Sequence, residues 1–167
     1  MSAIATVGVY GFSGPSFIEA LEGAAVTEIL DVRQRRGVRG PEYAWANAQR
    51  LQAALAAAGI GYRHLKQLAP TTELRQLQYA EDARTGVGKR SRTELGAEYR
   101  DGYTREILDR ADLDQVARSL PAEGLAALLC VERDPDACHR SIVAGRLAAE
   151  HGLDVVHIKP GQRSSGR

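Results

Sequence analysis

Two rhythms of apolar positions alternate along the chain. Short, nearly continuous apolar runs occur at IATVGVYG (4–11), VTEILDVR (26–33), IGYRHL (60–65), GLAALLCVE (124–132) and LDVVHIKP (153–160). Such runs, closed by glycine or polar residues, read as buried strands. Between them the apolar positions spread to helical spacing. PSFIEALEGA sets Phe17, Ile18 and Leu21 on one face, with Ser13 or Ser16 placed to cap. PEYAWANAQRLQAALAAAG (41–59) reads as one helix, with proline near its start, an alanine-rich body and glycine at its end. APTTELRQLQYAED (69–82) reads as a helix capped by Thr71 or Thr72, and ARTGVGKRSRTELG (83–96) as an exposed loop. Residues 97–120 form one or two helices, the first weakened by Gly102, and DACHRSIVAGRLAAEHG (136–152) is the last helix.

Strands alternating with helices predict an α/β fold: a mostly parallel β-sheet flanked by helices in a Rossmann-like three-layer arrangement. The irregular middle becomes a helical insertion before the Cys-containing strand. With 167 residues, one domain over 1–160 accounts for the pattern. The polar end GQRSSGR (161–167) reads as a flexible tail. No apolar run is long enough to span a bilayer, and MSAIATVGVYGFSG lacks the basic and apolar regions of a signal peptide, so no membrane partner is expected. The expected compartment is the cytoplasm. There, two cysteines are too few for a disulfide framework and are expected as thiols.

The net charge of +1 hides two basic stretches. VRQRRGVRG (32–40) carries Arg33, Arg35, Arg36 and Arg39, and RTGVGKRSR (84–92) carries Arg84, Lys89, Arg90 and Arg92, both without an acid. Arginine clustered among glycines suits phosphate. Open parallel sheets bind ligands outside the carboxyl ends of their strands. The polar residues at those ends are Tyr10, Gly11 and Ser13, then Asp31 and Arg33, His64, Cys130 and Glu132, and finally His157 and Lys159.

LLCVERDPDACHRS (128–141) gathers the most chemistry. Cys130 sits in an apolar strand and reads as a small core residue. Cys138, in the first turn of a helix beside His139 and Arg140, reads either as a thiol of lowered pKa or as a partly buried helix-start residue. The C-x7-C-H spacing is not a usual zinc spacing, and adjacent helical residues diverge by about 100°, so no metal and no cofactor is expected. A cysteine-phosphatase loop is also disfavoured, because Glu132, Asp134 and Asp136 lie between Cys130 and Arg140 and would repel phosphate. Asp31, Glu132, Cys138 and His139 are the catalytic candidates. Tyr10, Arg33, Arg35, Arg36, Arg39 and Arg140 are the candidates for binding substrate phosphate, with Tyr10 and Trp45 available to stack on a base.

TVGVYG, DVRQRRGVRGPEYAWANAQRLQAAL, GIGYRHLKQLAPTTELRQLQY, KRSRTEL and ALLCVERDPDACHR, followed by HI, together resemble the DUF488 family, in particular its bacterial branch with the DVR…RGVRG and C-x-E…CHR motifs. The resemblance runs over residues 4–158 and implies a cytoplasmic α/β domain, without an established activity. The characteristic positions of the family correspond to Thr6, Gly8, Asp31, Arg33, Cys130, Glu132, Cys138, His139 and Arg140. Many relatives carry Gly-His-Ser at the end of the first strand, where this chain has Gly8, Val9 and Tyr10, so a mechanism needing that histidine does not carry over. Three functions follow. The first is an enzyme, a hydrolase, acting on a nucleotide or nucleic acid, with arginines on phosphate and Asp31 or Glu132 activating water. The second is a non-catalytic nucleic-acid or anion-binding module. The third is a thiol enzyme with Cys138 as nucleophile and His139 or His157 as base.

Overall fold

The computed structural model describes residues 3–88 and 92–161. Five strands form one sheet: β1 (Ala3–Val7), β2 (Val26–Asp31), β3 (Gly61–His64), β4 (Leu125–Leu129) and β5 (Asp154–Ile158). Their order is β3-β2-β4-β1-β5 and every pairing is parallel. β4, the apolar LAALL, lies at the centre with Ala126 to Leu129 all buried, which is why it reads as a continuous apolar run rather than an alternating one.

The helices are α1 (Gly14–Gly23), α2 (Ala48–Ala57), α3 (Thr72–Thr85), α4 (Ala97–Glu106), α5 (Leu113–Arg118) and α6 (His139–His151). The connections leaving β1 and β2 run toward the β3 edge, while those leaving β3 and β4 run toward the β5 edge. Right-handed crossovers then place α1 and α2 on one face and α3 to α6 on the other. The expected three-layer α/β architecture and the helical insertion are both present. Chains leave β2 and β4 in opposite directions, so a crevice opens between the ends of these adjacent strands, where such sheets bind ligands.

Local chemistry explains the boundaries. Ser13 caps α1: its hydroxyl accepts from Ser16 N at 3.2 Å, and Ser16 Oγ accepts from Ser13 N at 2.9 Å. Thr71 caps α3 by accepting from Leu74 N at 3.1 Å. The expected single helix over 41–59 is broken. Pro41–Ala46 form a 3-10 turn and Asn47 is extended before α2 begins. Asn47 Oδ1 accepts from Val38 N at 2.8 Å, and Ala48 N donates to Arg36 O at 3.0 Å, so this break closes the arginine loop onto the helix. Gly102 lies inside α4 rather than ending it. A Cβ there would stand 2.7 Å from Leu74 Cδ2, so the missing side chain lets α3 and α4 pack. α3 also runs on to Thr85, into the stretch expected as loop. Lys89, Arg90 and nearly all of the polar tail expected at 161–167 lie outside the described residues. Among the described residues, no helix is long and apolar enough to cross a membrane.

Candidate functional site

A cleft of about 840 Å³ opens at the carboxyl edge of the sheet. The arginine loop after β2 forms one wall, α3 and the start of α4 another, and the β4-to-α6 turn forms the floor. Arg33, Arg35, Arg39, Arg75 and Arg92 line it, against Glu132 as the one lining carboxylate among the described residues. Arg33 is paired with Asp31, and Arg92 with Asp82 and Glu132, so the positive charge that favours an anionic ligand is that of Arg35, Arg39 and Arg75. Tyr10 and Tyr79 also face the cleft. Arg75 donates to Gln34 Oε1 and to Tyr79 OH, both at 2.7 Å, and its guanidinium lies 5.6 Å from the centroid of the Tyr79 ring.

Several sequence candidates serve the scaffold. Asp31 and Arg33 form a buried ion pair, 0 % and 1 % exposed. Asp31 Oδ1 accepts from Arg33 N at 3.1 Å and Nε at 2.9 Å, and Oδ2 accepts from Arg33 Nη2 at 2.8 Å and Tyr62 OH at 2.6 Å. Arg33 Nη1 donates to Ala46 O at 2.9 Å. Both carboxylate oxygens are thus occupied, which leaves Asp31 little capacity to activate water, and Arg33 spends its guanidinium within the fold. Burial pushes the Tyr62 phenol up, against the lowering contact of Arg36 and with the help of Asp31.

Arg140 is fully buried. Its Nη1 donates to Glu132 O at 2.7 Å and its Nη2 to Arg133 O at 3.1 Å. It therefore braces the loop after β4 from behind. Gly8 makes room for that loop, since a Cβ at Gly8 would lie 1.8 Å from Glu132 O. Arg36 turns aside to Tyr62 OH at 3.3 Å, and Arg84 pairs with Glu81 on the exposed side of α3. Trp45 packs its ring 4.8 Å from that of Phe17, under α1, rather than standing as a stacking platform. His157 meets Thr6 Oγ1 at 2.7 Å on the β1–β5 side of the sheet and is not part of the thiol cluster. Of the phosphate-binding candidates, Tyr10, Arg35 and Arg39 remain on the cleft wall, joined by Arg33 at its base.

A buried polar chain supports the far wall. Arg92 donates to Asp82 Oδ2 at 2.5 Å, Glu132 Oε1 at 2.7 Å and Ala137 O at 3.2 Å. Gln78 donates to Asp82 Oδ1 at 2.8 Å and accepts from Gly96 N at 2.8 Å. Arg75, Gln78, Tyr79 and Asp82 were not among the sequence candidates. Their signal is polar side chains at spacings of three and four following Leu74 on one helix.

Cys130, Cys138 and His139 meet on the floor. His139 Nδ1 lies 3.7 Å from each sulfur, and Nε2 lies 2.7 Å from Val32 O. The expectation that Cys138 and His139 diverge on a helix does not hold. Cys138 is the N-cap of α6, in extended conformation (φ −140°, ψ 149°), so its side chain leaves the helical arrangement and turns beside His139. The Tyr103 ring packs 5.2 Å from the imidazole. Burial alone would push the Cys138 thiol up. The hydrogen bond with Cys130, then His139 and Arg140, overturn this and hold it well below its ordinary value. Cys130 is pushed up by burial and by Cys138. Burial lowers His139, but Cys138 and the Val32 carbonyl outweigh it and raise the imidazole.

The family model described as "Domain of unknown function DUF488" matches residues 15–147. No curated protein matches the chain. No solved structure matches it.

Proposed function

The chain belongs to the DUF488 family, a domain of unknown function, and from that premise we propose that it binds a nucleotide or a nucleic-acid end in the arginine-walled cleft and hydrolyses it. One observation carries the reading: Arg35, Arg39 and Arg75 line a concave site that also presents Tyr10 and Tyr79, while Arg33 and Arg92 are balanced by their own carboxylates. Guanidinium groups recognise phosphate oxygens, and tyrosine rings offer stacking surfaces to a base. Glu132, held by Arg92 through Oε1, is the carboxylate positioned to take a proton from water, displacing Asp31 from that role.

The test is a thermal-shift panel of nucleotides, short DNA and RNA oligonucleotides and inorganic phosphate. At a ligand excess of about 100 times Kd the native state gains about 2.7 kcal/mol, or roughly 5–11 °C for a chain of this size. Arg35→Ala and Arg75→Ala each weaken binding and flatten its salt dependence. The same panel without any rise refutes the reading. Binding without turnover, unchanged by Glu132→Gln, makes the protein a binding module instead of a hydrolase. A second reading has Cys138 as nucleophile, favoured by His139 Nδ1 at 3.7 Å from its sulfur. Rapid alkylation of Cys138 that abolishes turnover supports it.

A further inference from the structure

The floor of the cleft has the dimensions of a metal site. Sγ of Cys130, Sγ of Cys138 and a ring nitrogen of His139 lie within 4.8 Å of one another, and Nδ1 is 3.7 Å from each sulfur. In a tetrahedral zinc site with Zn–S near 2.3 Å and Zn–N near 2.05 Å, sulfur and nitrogen stand about 3.6 Å apart. Both sulfur-to-nitrogen distances already match that spacing, and the two sulfurs, within 4.8 Å of one another, come to about 3.8 Å around a tetrahedral ion. His139 Nε2 faces the Val32 carbonyl at 2.7 Å. A carbonyl only accepts, so Nε2 carries a proton, and in the neutral ring the lone pair of Nδ1 points at both sulfurs. Metal-binding histidines make this same outer bond. Tyr103 packs against the ring and fixes its plane.

We infer that Cys130, Cys138 and His139 bind one zinc ion, with the fourth position open to the cleft. Soft thiolates and an imidazole select zinc over magnesium or calcium. Two thiolates and a neutral imidazole balance the charge of the ion, so the loaded site buries no net charge. All three residues line the cleft, so the open position takes water or an oxygen of the bound ligand. An open fourth position marks a catalytic rather than a structural zinc site. Zinc there supplies a water acidified toward neutral pH, or polarises a phosphoryl oxygen. That last clause rests on the hydrolytic reading above, whereas the zinc site itself does not.

The test uses the full chain, purified under reducing conditions. Metal content is measured directly, and cobalt is substituted for zinc after treatment with a chelator. The expected result is one zinc per chain, a cobalt spectrum with thiolate charge-transfer bands and tetrahedral d–d bands, and both cysteines protected from iodoacetamide by zinc. Cys138→Ser and His139→Gln weaken zinc binding by at least roughly 10–100-fold. Zinc far below one per chain, no thiolate-to-cobalt band, or equal alkylation of Cys138 with and without zinc overturns the inference. The wild-type cobalt spectrum decides even if a variant fails to fold. Nucleotide binding is measured separately on chelator-treated protein. A shift that persists there while zinc fails sinks the metal site alone, and zinc bound without any nucleotide shift sinks the cleft reading alone.

Discussion

Asp31→Asn separates a structural role for the Asp31–Arg33 pair from a catalytic one. Asp31 accepts four hydrogen bonds, two on each oxygen. In asparagine one oxygen becomes an amide nitrogen, and whichever way it turns, that nitrogen faces at least one N–H donor of Arg33. The Arg33 cation, 1 % exposed, loses its countercharge while remaining buried. Removing one partner of a buried pair costs about 3–5 kcal/mol. For a domain of this size that is a fall in Tm of roughly 6–20 °C. Replacing both residues, as in the double variant Asp31→Leu with Arg33→Met, removes the stranded charge along with the pair and recovers more than half of the loss. Urea denaturation of the single and double variants measures both quantities. At a temperature where Asp31→Asn is still folded, nucleotide binding is retained. If Asp31→Asn keeps wild-type stability but loses turnover, the assignment to the scaffold is wrong and Asp31 belongs to the chemistry.

Gly8→Ala forces a methyl group to within 1.8 Å of Glu132 O and disturbs the bond from Arg140 to that oxygen. It costs about 3 kcal/mol by denaturation and displaces the Glu132 backbone; a loss under about 1 kcal/mol means that the loop yields freely. Partial burial first, then the charges of Arg140 and Lys159, hold the His157 imidazole below 6.5, with Asp136 pulling the other way. The folded state therefore binds fewer protons there than the unfolded chain. The contribution of His157 to stability is intact above the unfolded value and declines as pH falls through it. An NMR titration midpoint at or above 6.5 for His157 refutes this, and His157→Asn flattens the decline.

The strands were legible because each carries a short apolar run, and the parallel sheet followed from their alternation with helices. The break at Asn47 was hidden, because Pro41, an alanine-rich body and a terminal glycine describe a good isolated helix, whereas a long-range bond to Val38 N decides the actual path. The site was legible as a neighbourhood but not as a set of roles. Of the strand-end residues, Tyr10, Arg33, Cys130 and Glu132 line the cleft, together with Arg35, Cys138 and His139. Arg33 and Arg140 looked like ligand-binding cations, yet their partners are Asp31, two residues away, and the carbonyls of Glu132 and Arg133. Composition cannot distinguish an arginine facing solvent from one spent on its own backbone. The closeness of Cys138 to His139 depends on one residue leaving helical geometry at the N-cap, which a periodic reading passes over.

The order β3-β2-β4-β1-β5 has a consequence for how the chain is made. β1 and β2 leave the ribosome early but never touch as neighbours; the slot between them waits for residues 125–129. A nascent chain shorter than that holds two separate pieces, one built on β2 and β3 and another on β1 alone. Cys130 directly follows the strand that joins them, so the segment that completes the sheet also delivers the first sulfur to the cleft. Translation that stalls before residue 125 leaves β1 and β2 with open edges and no floor beneath the arginines, and protease digestion of such arrested chains should yield no protected core spanning both.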